Sequence, residues 1–162
     1  MINKIAIISD THNNFIRGEK VRDILKKEGI NFIIHCGDIG EKDYLKKIFK
    51  KFEVRAVLGN ADDGYGTIEE YQELPNIVVY KDRGEEIINN KRISFNHYPE
   101  IAKKIAKTEK YDFVFYGQTH KPWEEKIGKT ILLNPGNVSG ILYNSTFAIY
   151  DFKIKEFKLI II

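Results

Sequence analysis

The first half of the chain alternates between two spacings of apolar residues. Short runs rich in Ile and Val occupy residues 5–9, 31–35 and 53–58 and predict buried β-strands. Between these runs, apolar residues three and four positions apart predict amphipathic helices over residues 17–28 and 41–51. An alternation of strands and helices favours a mainly parallel sheet with helices on its outside.

The second half contains shorter strands that are separated by turn residues. Strands are predicted over Ile77–Tyr80, residues 86–88, residues 92–96, residues 112–116, Trp123–Ile127, residues 130–133, residues 146–152 and Glu156–Ile161. Asp82, Gly84 and Asn89-Asn90 separate the first three of these strands, which favours antiparallel hairpins. A helix is predicted over Pro99–Lys107, with Pro in its first turn. We therefore expect one domain over residues 1–162, in which two sheets pack face to face under outer helices.

The composition is that of an ordinary globular protein. Hydrophobic residues make up 43% of the 162 residues and charged residues 30%, and the net charge is only +3. Most lysines alternate with acids on the predicted helices, so a nucleic-acid partner is not expected. The single cysteine, Cys36, cannot form an internal disulfide. The chain enters a strand at once and has no long apolar stretch, so we expect a cytoplasmic protein without a membrane partner.

Polar side chains follow several predicted strands at the point where each strand ends. The candidate ligands at these positions are Asp10, His12, Asp38, Asn60, His97 and His120. Ligands of open α/β sheets bind at the carboxyl ends of the strands, where the connecting loops meet. Carboxylate, imidazole and amide groups together suit divalent metal ions. The pattern therefore predicts a metal site at this edge of the sheet.

Each candidate has a plainer explanation when it is taken singly. Asp10 fits a cap of the following helix, and Asp38 and Asn60 fit turn residues. His97 alone fits a hydrogen-bonded histidine. His35, at the end of the second strand, fits a structural or outer-sphere role better than that of a ligand. Only the convergence of many such residues favours the metal site.

Two details bear on how the ligands would be arranged. In an extended segment Asp10 and His12, two residues apart, point to one side and can hold one ion. Asp38 follows Gly37, whose lack of a side chain lets the backbone approach closely, and its carboxylate can serve two ions. Asp62 can orient a ligating histidine or a water molecule as an outer acceptor.

The order of these motifs resembles that of the calcineurin-like metallophosphoesterases. The motifs are Asp10-Thr11-His12, Gly37-Asp38, Gly59-Asn60-Ala61-Asp62, His97 and Gly117-Gln118-Thr119-His120. The short length and the Gly-Asn-Ala-Asp stretch place the resemblance in the small archaeal and bacterial phosphodiesterase branch. It covers nearly the whole chain, and it implies an α/β fold, a four-layer α/β/β/α sandwich of two mixed β-sheets flanked by helices.

The resemblance also implies a centre with two divalent metal ions. One ion would take Asp10, His12, Asp38 and His120, and the other would share Asp38 and take Asn60, His97 and Gln118. The family normally has His where Gln118 stands, and an amide is a poorer ligand than imidazole for Ni²⁺ or Zn²⁺. We therefore expect a weakened second site. Mn²⁺ is the expected metal, with Ni²⁺, Zn²⁺ or Fe as alternatives.

The activity implied by the resemblance is hydrolysis of a small phosphodiester substrate. A hydroxide bridging the ions would attack phosphorus, with Asp38, Asn60 and His97 as catalytic residues. The alternative is a catalytically weak or inactive interaction scaffold, which would resemble the retromer subunit of the same fold. A homodimer is compatible with either function.

Overall fold

The computed structural model describes residues 1–162 and contains eleven β-strands and four α-helices. The strands are β1 (Lys4–Ile8), β2 (Phe32–His35), β3 (Glu53–Val57), β4 (Ile77–Tyr80), β5 (Arg83–Ile88), β6 (Lys91–Asn96), β7 (Phe113–Phe115), β8 (Trp123–Ile127), β9 (Thr130–Asn134), β10 (Thr146–Asp151) and β11 (Glu156–Ile161). The helices are α1 (Phe15–Lys27), α2 (Asp43–Phe49), α3 (Ile68–Tyr71) and α4 (Pro99–Lys107), with a short 3₁₀ helix at Asn60–Asp62.

The strands form two mixed sheets. The six-stranded sheet has the order β11-β10-β1-β2-β3-β4, in which β1 to β4 run parallel and β10 and β11 pair antiparallel. The five-stranded sheet has the order β5-β6-β7-β9-β8, in which β6, β7 and β9 run parallel between two antiparallel edge strands. Both sheets therefore combine the two kinds of pairing, as predicted.

The alternation of side chains along β1 explains the layers. Ile5 and Ile7 point between the sheets and join an apolar cluster with Phe115 of β7. Ala6 and Ile8 point to the other face, where they pack under the helices α1 and α2. A third cluster joins α4 to the outer face of the five-stranded sheet. The predicted α/β/β/α sandwich is confirmed.

The prediction of antiparallel hairpins in the middle of the chain is wrong for β4. This strand pairs parallel with β3 in the six-stranded sheet, whereas β5 begins the other sheet. Gly84 lies within β5 and not in a turn, and it pairs with Phe95 of β6. Glycine is needed at this position because the ring of Phe95 occupies the place where a side chain would stand. The hairpin of β5 and β6 is as predicted, and Asn89 and Asn90 turn it with φ of 48° and 64°.

Helix α4 has the predicted bounds, whereas the bounds of α1 and α2 differ from the predicted ones by a few residues. Helix α1 begins at Phe15 because the side chain of Asn14 accepts a hydrogen bond from the backbone N–H of Arg17 and caps it. Helix α2 is shorter than residues 41–51, and α3 is too short to produce a helical pattern in the sequence. None of the helices has both the length and the apolar character needed to cross a membrane.

Candidate metal centre

The loops after β1 and β2 lie side by side. The backbone N–H groups of Asp10 and His12 donate to the carbonyls of Gly37 and Asp38, each at 3.0 Å. The expectation of an extended Asp10–His12 segment is wrong, because these two residues have φ of 53° and 43°. The loop turns through left-handed conformations, and the pairing with the second loop holds it in that shape.

His35 connects these two loops and does not join the candidate ligands. Its Nδ1 accepts from the backbone N–H of Gly37 at 3.2 Å, so its Nε2 carries the proton and donates to the hydroxyl of Thr11 at 3.0 Å. Burial lowers the pKa of His35 to about 3, so that the ring is neutral. This geometry agrees with a structural role.

Four of the predicted ligands meet at the ends of the strands. The potential ligand atoms of Asp10, His12, Asp38 and His120 all lie within 4.8 Å of one another. Asp10, Asp38 and His120 are buried, whereas His12 is partly exposed. The Nε2 atom of His120 lies 3.3 Å from Nε2 of His12 and 3.1 Å from Oδ1 of Asp10. We call these four residues the metal cluster.

The hydrogen bonds around Asp10 and His120 leave two acceptors facing each other. Oδ2 of Asp10 accepts from the hydroxyl of Ser9 and the backbone N–H of Gln118, whereas its Oδ1 makes no hydrogen bond. Nδ1 of His120 donates to the carbonyl of Ile141 at 3.1 Å, so its Nε2 presents a lone pair to Oδ1. Two acceptors at this distance repel each other unless a proton or a metal cation lies between them.

The metal cluster stabilises positive charge. Burial alone raises the pKa of Asp10, but the contacts with His12 and His120 outweigh it and hold this pKa well below the usual range. The contact with Asp10 is the main reason why the pKa of His120 is raised, and burial opposes it. A site that favours the protonated imidazole of His120 also favours a divalent cation in place of that proton.

Asp38 belongs to the metal cluster and also contacts a second group of predicted ligands. Its Oδ2 is 3.5 Å from Nε2 of His12 and 3.4 Å from Nε2 of His97, and its Oδ1 accepts from the backbone N–H of Ala61. Gly37 allows this approach, since a side chain there would lie 2.6 Å from the His97 ring. One carboxylate oxygen therefore lies within 3.5 Å of the Nε2 atoms of two histidines.

The second group consists of one imidazole and two amides beside Asp38. His97 donates from Nδ1 to the carbonyl of Cys36 at 2.8 Å, and its buried Nε2 has no hydrogen-bond partner. Burial lowers the pKa of His97, but Asp38 outweighs burial and the pKa is raised. The side chains of Gln118 and Asn60 meet each other, with Nε2 of Gln118 donating to Oδ1 of Asn60 at 3.3 Å.

Asp62 does not contact a ligating histidine, so that part of its prediction is wrong, and the orientation of a water molecule stays a prediction. Its two oxygens accept from the backbone N–H groups of Gly40 and Gly59 at 2.8 Å each, so it joins two loops instead. Burial, opposed by these two hydrogen bonds, raises the pKa of Asp62 to about 6. The carboxylate of Asp62 therefore accepts hydrogen bonds from backbone N–H groups and not from a histidine.

Two buried asparagines that were not among the predicted site residues hold the loop that carries His120. Asn134 donates from Nδ2 to the carbonyl of Gly117 and to the hydroxyl of Thr119, each at 2.9 Å. Asn137 donates from Nδ2 to the carbonyl of His120 at 3.0 Å. The one feature of the sequence that is compatible with this supporting role is that both side chains are amides, which can donate and accept hydrogen bonds at once.

Asn137 also shapes the loop that orients the His120 ring. Its Oδ1 accepts from the backbone N–H groups of Gly140 and Ile141, at 2.5 and 3.0 Å. The carbonyl of Ile141 in turn accepts from Nδ1 of His120. Asn137 therefore contacts the backbone of His120 and also holds the residue that sets its tautomer.

Comparison with known proteins assigns this arrangement to a family. Residues 4–155 match the Calcineurin-like phosphoesterase superfamily domain. The chain belongs to this superfamily. A protein of Methanocaldococcus jannaschii named as a phosphodiesterase is 28% identical over 172 aligned positions, which cover 98% of this chain and 99% of that protein.

Solved structures agree with the assignment. The structure of an archaeal phosphodiesterase superimposes with a TM-score of 0.87 at 27% identity, covering 98% of this chain and 99% of that one. Vacuolar Protein Sorting 29 of Cryptosporidium parvum gives a TM-score of 0.67 at 16% identity, covering 99% of this chain and 97% of that one. At that identity the second likeness shows the fold alone.

The divalent metal ions that the superfamily implies fit the metal cluster. Two carboxylates and two imidazoles form a donor set that divalent transition metals favour. The lone pairs of Asp10 Oδ1 and His120 Nε2 face each other without a donor between them, as expected of ligands to one cation. The tautomer of His120 is set by a backbone carbonyl, which is a common feature of metal-binding histidines.

Proposed function

We propose that the protein is a metal-dependent phosphodiesterase that hydrolyses a small phosphodiester substrate. The observation that carries this proposal is the metal cluster, in which two carboxylates and two imidazoles converge with their ligand atoms within 4.8 Å. The superfamily supplies the phosphoester chemistry, and the phosphodiesterase of Methanocaldococcus jannaschii, alignable over nearly the whole chain, supplies the diester preference.

Seven residues would hold two metal ions, and both ions would bind Asp38. The first ion would take Asp10, His12, Asp38 and His120, and the second would take Asp38, Asn60, His97 and Gln118. Bound divalent ions supply positive charge for the phosphoryl oxygens and lower the pKa of a water molecule. The position of Asp38 Oδ2 between His12 and His97 supports its role as the shared ligand.

Asn60 and His97 of the second group would have different roles, one in binding the substrate and the other in binding the metal. Oδ1 of Asn60 faces Gln118, so its exposed amide can donate from Nδ2 to a phosphoryl oxygen of the substrate. The proton of His97 is held by the carbonyl of Cys36. His97 therefore acts through its Nε2 lone pair, as a ligand and not as a proton donor.

The scaffold alternative is not better supported. The likeness to Vacuolar Protein Sorting 29 shows only the shared fold, whereas the metal cluster retains every ligand that the first ion needs. Four of our other expectations stay predictions: manganese as the native metal, a homodimer, a cytoplasmic location and a single domain over residues 1–162.

The proposed function predicts that activity depends on added transition metal. Protein that has been stripped with a chelator should not hydrolyse bis(p-nitrophenyl) phosphate, and Mn²⁺ should restore hydrolysis best, with Ni²⁺ or Zn²⁺ as weaker replacements. The diester should be a better substrate than p-nitrophenyl phosphate, and metal analysis should find the metal bound. Protein that binds metal but hydrolyses neither ester would favour the scaffold alternative.

Substitution of Gln118 by His should strengthen the second metal site. Gln118 has a φ of 64°, a conformation that His120 adopts at 60° in the same loop, so the backbone tolerates the change. An imidazole there should tighten Ni²⁺ and Zn²⁺ more than Mg²⁺, which prefers oxygen ligands. Calorimetric titration and rates at limiting metal measure the effect.

The matched control for this prediction is Gln118→Ala, which removes the amide without adding an imidazole. Metal affinity should rank the His variant above wild type and the Ala variant at or below it. If the His variant binds no second ion at any metal concentration, then position 118 does not face a metal site.

A further inference from the structure

A groove borders the second group of candidate ligands at Asn60. It has a volume of about 360 Å³ and is lined by residues 58–60, 62–64, 66, 81, 82 and 98. Asn60 belongs to the groove and to the second ligand group, and Tyr98 directly follows His97, with ring centroids 5.2 Å apart. A substrate whose phosphate lies at the candidate ligands therefore has room here for one of its ester substituents.

The side chains of this groove carry polar groups that the chain itself does not use. The ammonium of Lys81, the carboxylates of Asp63 and Asp82 and the hydroxyl of Tyr98 make no hydrogen bond or ion pair within the protein. Asp62 differs, since both of its oxygens are held by backbone N–H groups. Four groups are thus free to contact a ligand.

A second polar groove on the surface differs from the first in how its charged groups are paired. It lies between α2 and α3, has a volume of about 480 Å³ and is lined only by charged residues. Lys42 pairs with Glu70 at 2.5 Å, and Lys46 pairs with Glu73 at 2.7 Å, so both lysines of this groove are paired with acids across it. The groove beside Asn60 has no such pairs.

The free groups select a neutral ligand that bears hydroxyl groups. Asp63 and Asp82 disfavour another anion, and Lys81 offsets one of these two negative charges, which reduces the attraction for a cation. Hydroxyls can donate to the carboxylates and accept from the ammonium at the same time. The ring of Tyr98 offers an apolar face to carbon-bound hydrogens. A polyhydroxylated alcohol matches all of these groups.

We infer that this groove binds the alcohol part of the phosphodiester, and that this alcohol carries at least two hydroxyl groups, as glycerol or a sugar does. The inference rests on the proposed function, because the phosphate must lie at the candidate ligands for its substituent to reach the groove. It names the substrate class that a general phosphodiesterase assignment leaves open.

The test compares two diesters that differ only in these hydroxyl groups. The p-nitrophenyl phosphodiester of glycerol and that of propan-1-ol share the leaving group and the chain length. We expect kcat/KM to be about tenfold higher for the glycerol ester, the effect of one good hydrogen bond to a charged group. Equal rates, or a preference for p-nitrophenyl phosphorylcholine over both esters, would overturn the inference.

Variants identify the groups responsible. The double variant Asp63→Ala/Asp82→Ala should reduce the ratio of kcat/KM for the glycerol ester to that for the propyl ester to about one, whereas Asp23→Asn, on the exposed face of α1, should leave both rates unchanged. A preference that survives the double variant would show that the groove does not bind the alcohol.

Binding measurements separate failure of this inference from failure of the proposed function. The dissociation constants of glycerol 3-phosphate and propyl phosphate, measured by calorimetry on metal-loaded protein, give the same comparison without turnover of a diester. If no ester is hydrolysed but glycerol 3-phosphate binds about tenfold more tightly, the proposed function is wrong and the groove assignment stands. Equal dissociation constants would contradict the groove assignment itself.

Discussion

Replacing Asp38 with Asn should abolish most of the hydrolysis of a diester. Oδ1 accepts from the backbone N–H of Ala61, so the new amide nitrogen would take the place of Oδ2. It would then donate to Nε2 of His12 or His97, which lie 3.5 and 3.4 Å from that position. The change removes a shared charge and also occupies a lone pair that a metal ion needs.

The expected loss of kcat/KM for Asp38→Asn exceeds the loss from replacing a residue that only hydrogen-bonds to a metal ligand. Removing a hydrogen-bond partner of a metal ligand costs about 10–100-fold in metal affinity or activity. Loss of a ligand that serves both ions should therefore reduce kcat/KM by more than about 100-fold and weaken metal binding in calorimetry. The fold should be retained, because the two side chains have nearly the same shape, and circular dichroism checks this.

Asp112→Asn is the matched control for Asp38→Asn. Asp112 lies at the opposite end of β7 from the metal cluster, where it accepts from Lys91 and from the backbone of Arg92. Its substitution should leave kcat/KM and metal affinity unchanged. Activity of Asp38→Asn equal to that of wild type would contradict a centre that shares this carboxylate.

The order of the strands and helices could be predicted from the sequence, but the pairing of the strands could be predicted only in part. Spacing of apolar residues shows that Ile77–Tyr80 is a strand, yet it does not distinguish pairing with β3 from pairing with β5. The pairing depends on which core the strand completes, and Ile77 and Val79 complete the core under the helices. Gly84 was misread because a glycine inside a strand and one in a turn look alike in a sequence.

The candidate ligands were found because strand ends converge, which is a property of topology and not of local conformation. The expected extended segment between Asp10 and His12 is wrong, yet their side chains still meet because the loops after β1 and β2 pair. Contacts between distant segments were the part that could not be predicted. Asn134 and Asn137 fit a turn as well as they fit a buried support, and only the folded chain distinguishes these roles.

Replacing Asn137 with Ala should weaken metal binding without removing any ligand. The variant loses the hydrogen bond to the carbonyl of His120 and frees the backbone of Ile141, whose carbonyl fixes the proton on Nδ1 of His120. We expect the affinity for the first metal ion to fall by about 10–100-fold, which is typical when an outer support of a ligand is lost. Asn137→Asp keeps the acceptor for the backbone N–H groups of Gly140 and Ile141 but places a buried carboxylate oxygen opposite the carbonyl of His120, so it should not restore the affinity.

A loss of stability alone would not establish this positioning role, so the control must destabilise the protein elsewhere. Thr130→Val removes a buried hydrogen bond to the carbonyl of Tyr111, near the start of β9 and away from the metal cluster, at an expected cost of about 1 kcal/mol. Both variants should unfold at lower temperature than wild type, but only Asn137→Ala should lose metal affinity in calorimetry. If Asn137→Ala unfolds more easily and still binds metal as wild type does, Asn137 supports the fold and not the position of His120.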